Sequence, residues 1–115
     1  MNPTPKARAL VRVRANLRCE ACIRYLGEDD VPPHHRRPRQ MGGSKRADTN
    51  SPANLLLLCL PCHAWVESNR TEAYDLGLLI HQSANPTEVP VLLFRPGWVY
   101  LDDLGNYLPA ERGAA

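Results

Sequence analysis

The apolar positions of this chain fall into short runs whose period changes along its length, and each run predicts a different element. Residues 6–18 begin by alternating, with Lys6, Arg8, Arg12 and Arg14 set against Ala7, Ala9, Val11 and Val13. That pattern suits a strand or a basic arm, because a stretch this short does not fix its own period. Residues 23–27 suit a short helix or turn, and Val31-Pro32-Pro33 forces an extended approach to His34, since a residue before proline avoids the helical region. Residues 38–50 contain Gly42-Gly43, several charges and no apolar period, and predict an exposed loop. The run Leu55-Leu56-Leu57-Leu58 predicts a buried strand. From His63 onward Val66, Ala73 and Leu76 recur at helical spacing up to Gly77, a suitable C-cap, with a break expected near Asn69 and Thr71 as the new N-cap. Beyond it three short apolar runs (78–80, 91–94 and 98–101), separated by Pro86, Pro90 and Pro96-Gly97, predict two or three strands with a hairpin at Pro96-Gly97.

These elements describe an α+β chain of one domain, and 115 residues allow only a modest core. Eleven prolines and seven glycines imply many irregular connections, so a structural staple is expected. The net charge of +2 conceals an asymmetry: residues 1–46 carry eleven basic and four acidic side chains, a net of +7, whereas residues 47–115 carry three and eight, a net of −5. Such a split suggests that the first part faces a polyanion. No run approaches the roughly 20 apolar residues that span a bilayer, so no membrane partner is expected. The N-terminus lacks the apolar core of a signal peptide, which points to a cytoplasmic location with reduced thiols.

All four cysteines lie in two Cys-x-x-Cys pairs, Cys19/Cys22 and Cys59/Cys62. Two such pairs supply the four thiolates of a tetrahedral structural zinc site, a reading favoured over two disulfides by the spacing and the expected compartment. Between and just after them lie the imidazoles. His34 and His35 are adjacent, so in an extended segment one can hold a metal ion while its neighbour faces a substrate. His63 and Glu67 are four apart and share one face of a helix, close enough to grip one ion. Asn54, at the turn into the leucine run, can pin a backbone or orient an imidazole. Trp65 and Trp98 read as core.

Three stretches taken together, Val31-Pro32-Pro33-His34-His35-Arg36, Ser51-Pro52-Ala53-Asn54-Leu55 and Leu58-Cys59-Leu60-Pro61-Cys62-His63, resemble the HNH endonuclease family in its zinc-stapled, bacteriophage-type form. The resemblance implies a small ββα-metal unit (the His-Me finger) over residues 17–77, stapled by the four-cysteine zinc site. It would be preceded by a basic N-terminal arm over residues 1–16 and followed by a β-rich extension over residues 78–115 packed on the same domain. It implies His35 as general base, Asn54 as the residue holding the base-bearing loop, and His34 and His63 as ligands of one catalytic divalent ion. Glu67 stands at the next ligand position, where relatives often carry histidine or asparagine; a carboxylate suits magnesium or manganese. Arg36, Arg37, Arg39, Lys45 and Arg46 are the expected phosphate contacts. The function so implied is metal-dependent hydrolysis of DNA phosphodiester bonds, with phage terminase or other packaging proteins as candidate partners. The competing reading is a non-catalytic zinc-knuckle module that binds nucleic acid or serves phage assembly. It accounts for the cysteines and the charge but leaves His35, Asn54 and His63 without a use.

Overall fold

The structure, a computed structural model, describes residues 2–27, 31–38 and 47–110. Residues Pro5–Ala15 form helix α1. Thr4 caps it by accepting the Ala7 N–H at 3.1 Å, Pro5 occupies the first turn, and Asn16 ends it in a left-handed conformation with φ of 55°. The segment is therefore neither strand nor extended arm. Alternating alanine and arginine also favours a helix, and Ala7, Val11 and Ala15 recur at helical spacing to form its buried stripe.

The leucine run is buried from end to end. Within it β2 (Leu55–Leu56) pairs antiparallel with β1 (His34–His35), with His34 opposite Leu56 and His35 opposite Leu55. Successive side chains leave a strand on opposite faces. Accordingly Leu55 and Leu57 pack beneath α1, whereas Leu56 and Leu58 enter the main core with Val66, Ala73, Leu79 and Val91. Cross-strand partners share a face, so the register puts His35 on the α1 side of the ribbon and His34 on the side of the main core.

Helix α2 (Leu60–Ser68) and helix α3 (Arg70–Asp75) come next, separated at Asn69, which itself stands at the N-cap of α3 in place of Thr71. Leu78, Leu79 and Ile80 form no strand. They cross the core as a buried connection, fixed by Leu78 N–H to Ala73 O at 2.9 Å and Ile80 N–H to Arg36 O at 2.8 Å. The second sheet is an antiparallel meander of β3 (Val91–Leu93), β4 (Gly97–Leu101) and β5 (Tyr107–Pro109), the last without an apolar run to announce it. Its inward residues Val91, Leu93, Val99 and Leu101 share the core of Leu56 and Val66, so helices and sheet form a small mixed α and β globule. Trp65 stays 41% exposed, on the rim of an apolar hollow with Leu92 and Phe94. Among the described residues no helix is long and apolar enough to cross a membrane.

A polar staple joins α1 to both sheets. Arg14 forks onto the Glu20 carboxylate at 2.9 and 3.0 Å and donates to the carbonyls of Pro52 and Leu55 at 3.0 and 2.7 Å. Glu20 also accepts the Leu57 N–H at 2.8 Å and the Tyr107 hydroxyl at 2.6 Å. The pair is buried yet completely bonded, the condition under which a buried ion pair is tolerated.

Candidate metal centres and active site

The two Cys-x-x-Cys segments meet because residues 19–22 and the start of α2 flank the leucine run. Cys19 N–H bonds Arg24 O at 2.8 Å, Ile23 N–H bonds Cys19 O at 2.8 Å, and Glu20 N–H ties this knuckle to Leu57 O at 2.8 Å. The ligand sulfurs of Cys19, Cys22, Cys59 and Cys62 all lie within 4.8 Å of one another, with Cys22 and Cys59 3.6 Å apart. A tetrahedron with zinc–sulfur bonds of about 2.3 Å has edges of about 3.8 Å, so the donor set fits zinc, whereas a disulfide needs sulfurs about 2.05 Å apart. None of the four is in a disulfide. Burial pushes the Cys19 and Cys62 thiols up. Burial acts the same way on Cys22, but the Arg24 N–H and the neighbouring thiols outweigh it and hold that group down. As thiolates, four groups this close need a cation to coexist, so the cluster could hold a structural metal such as zinc.

A second cluster forms one residue along the same helix. Cys59 is the N-cap of α2, with Pro61 in its first turn, so Cys62 and His63 sit side by side in the opening turn. Neighbouring helical positions diverge by about 100°, which sends Cys62 to the sulfur cluster and His63 away from it. His63 and Glu67 converge there with His34 from β1, each offering one ligand atom within 4.8 Å of the others. His34 is buried and meets the His63 ring edge-on at 5.3 Å. Its Nε2 lies 2.9 Å from Leu78 O, a carbonyl that can only accept, so the ring proton sits on Nε2 and the lone pair on Nδ1. Burial pulls the His34 pKa down to about 4, assisted by the neighbouring histidines, so the ring is neutral and able to bind a metal at physiological pH. Glu67 Oε1 is 4.0 Å from His63 Nε2, and its Oε2 accepts from Arg70 at 3.2 Å. Two imidazoles and a carboxylate, two of the three open to solvent, form a donor set that a hard divalent ion can use.

His35 lies beside this cluster on the opposite face of the ribbon. Its Nε2 is 2.8 Å from Asn50 Oδ1. Asn54 is fully buried and ties two loops together: its Oδ1 accepts the Arg37 N–H at 2.9 Å and its Nδ2 donates to Thr49 O at 2.7 Å. Its own carbonyl accepts the Arg36 N–H at 2.8 Å. One side chain therefore couples the segment carrying His35 to the turn carrying Asn50.

Arg36 and Arg37 correct the expectation of a phosphate clamp, because both are buried. Arg36 spends its guanidinium on the carbonyls of Gly77, Ala53, Pro86 and Val89 at 2.8–3.0 Å. Arg37 pairs with Asp48 and donates to Ala84 O at 2.9 Å. With Arg14, three arginines of the basic half are structural, and the cationic surface is smaller than the sequence suggests. Arg39, Lys45 and Arg46 lie outside the described residues. Asn50 and Arg70 are the site neighbours that sequence reasoning missed. Asp48-Thr49-Asn50-Ser51 carries only a turn signal, and Arg70 reads as a solvated helix residue. His81 stacks on Tyr74 at 4.9 Å and takes no part. Comparison with protein-family models, curated proteins and solved structures yields no match to this chain.

Proposed function

We propose that the protein is a metal-dependent DNA endonuclease of the HNH type, with β1, β2 and α2 as its ββα-metal unit. The observation that carries the reading is the convergence of His34, His63 and Glu67 on one point, separate from the four cysteines, beside a histidine held by asparagine. A zinc knuckle that only binds nucleic acid needs no second donor set.

A divalent ion held by His34 Nδ1, His63 and Glu67 would neutralise charge developing on a phosphodiester and favour departure of the 3′ oxygen. The chain's own residues do the rest. His35, as general base, takes a proton from the attacking water while the water oxygen bonds to phosphorus. The bond from phosphorus to the 3′ oxygen breaks, that oxygen takes a proton from solvent, and a 5′-phosphate remains. Leu78 O holds His34 in the tautomer that presents Nδ1, and Asn54 keeps the His35 segment from sliding against the turn of residues 48–51.

The test is plasmid nicking with magnesium or manganese. Wild type should convert supercoiled DNA to open circles, and His35→Ala should lower the rate by about 100- to 10,000-fold while binding DNA equally well. Equal binding with no cleavage by either protein would sink the enzyme reading and leave the zinc-knuckle binding module in its place.

A further inference from the structure

The turn of residues 48–51 is held from several sides. Arg37 grips the Asp48 carboxylate, Asn54 Nδ2 donates to Thr49 O at 2.7 Å, and Ser51 bonds Asp48 O through its hydroxyl at 2.9 Å and its N–H at 3.2 Å. Arg37 is in turn anchored to Ala84 O at 2.9 Å. A turn clamped on both sides of Asn50 fixes where that side chain points, and its Oδ1 meets His35 Nε2 at 2.8 Å across fifteen residues of sequence.

We propose that Asn50 is the positioning residue for His35: its side-chain oxygen accepts the Nε2 proton and so places the basic lone pair of the imidazole on Nδ1. An amide oxygen can only accept, so the ring nitrogen facing it carries the hydrogen. The lone pair that a base needs is then on the opposite nitrogen. The amide is neutral, and it selects the tautomer without the negative charge that a carboxylate would bring beside the metal cluster. The proposal also gives the two arginine-adjacent contacts a purpose: Arg37 and Asn54 build the turn that presents Asn50. This inference rests on the nuclease reading for its consequence in catalysis, though the tautomer is a property of the folded protein alone.

The experiment uses full-length, zinc-loaded, 15N-labelled protein, with spectra recorded at rising pH until the ring signals no longer move. Long-range 1H–15N spectra, with the His35 ring identified by its loss in His35→Gln, should show the Nε2–H tautomer in wild type and in Asn50→Asp. Asn50→Leu, which keeps the size and loses the acceptor, should show a mixture with Nδ1–H. In steady-state nicking Asn50→Leu should lower kcat by about 100-fold with KM nearly unchanged, and Asn50→Asp should restore most of it. An Nδ1–H tautomer in wild type overturns the proposal by itself, including the case in which Asn50→Leu does not fold. A wild-type tautomer and wild-type kcat in folded Asn50→Leu overturn it while leaving the nuclease standing. Failure of the wild type to nick DNA overturns the nuclease, and the spectra still decide the role of Asn50.

Discussion

At the scale of single residues, the arginines separate what a sequence states from what a structure does with it. Charge type predicts exposure, so Arg36 in a run of basic residues reads as a phosphate contact. It is instead fully buried and bonded to four carbonyls drawn from three separate stretches of chain. Burial lowers its pKa to about 9, which still leaves it a cation at neutral pH. Its role is to satisfy these carbonyls, two of which, Pro86 O and Val89 O, belong to the proline-rich connection before β3. Replacing it by methionine keeps the stem and orphans all four acceptors. Leaving a buried acceptor unpaired typically costs about 1–3 kcal/mol, and urea unfolding should show a loss at least that large for Arg36→Met with zinc content unchanged. A stability loss under about 1 kcal/mol, the worth of an exposed charge, would mean that the guanidinium reaches solvent. Arg14 was equally illegible, because Glu20, which it pairs with, is ordinary in sequence and Tyr107, whose ring it faces at 5.8 Å, is remote. His34 and His63 were legible, since adjacency to a second histidine and to a Cys-x-x-Cys pair marks them whatever the fold.

At the scale of elements, the buried leucine strand, the break at Asn69 and the hairpin of β3 and β4 come from apolar runs and turn residues. Helix α1 was missed because alternation of small and charged residues satisfies a period of two superficially, while Thr4-Pro5 and Asn16 carried the helix signals. β5 was missed because three residues ending in proline make no period at all. The join between α3 and β3 is the element-level feature most open to test. Gly77 has φ of 77°, and a Cβ there would lie 2.1 Å from Pro90 O and 2.8 Å from Val91 Cα. Gly97, with φ of 75°, would meet nothing within 4 Å. Alanine at either position takes on the left-handed penalty of about 1–2 kcal/mol, but only Gly77→Ala must also push β3 off Leu76 and loosen Gly77 O from Arg36. Gly77→Ala should therefore lose about 2–4 kcal/mol in denaturant melts, clearly more than Gly97→Ala. Equal losses would show that conformation alone, and not the close approach of β3, demands glycine at Gly77.

At the scale of the whole molecule, one helix start contributes to two clusters of potential metal donors, and the question is whether they are separable. The sulfur cluster joins residues 19–22 to the start of α2, and through Glu20 it also reaches the leucine run, α1 and β5. Zinc binding to such a site is worth about 10–16 kcal/mol, against a total stability of about 5–15 kcal/mol for a typical domain. The staple thus matches or exceeds the whole margin, and Cys59→Ser or a strong chelator should unfold the chain, seen as loss of both circular-dichroism signal and one zinc per molecule. The His34, His63 and Glu67 cluster has no such leverage. Two of its three donors are open to solvent, and His34 is already held by Leu78 O without any ion. His63→Ala should therefore retain the fold and its one zinc while losing binding of manganese, measured by calorimetry on the zinc-loaded protein. Loss of zinc from His63→Ala would make His63 a ligand of the sulfur site, and the separation into a scaffold metal and a working metal would fall with it. The divergence of Cys62 and His63 around the first turn of α2 accounts for survival of the zinc, and loss of manganese is the result that the proposed nuclease site adds to it.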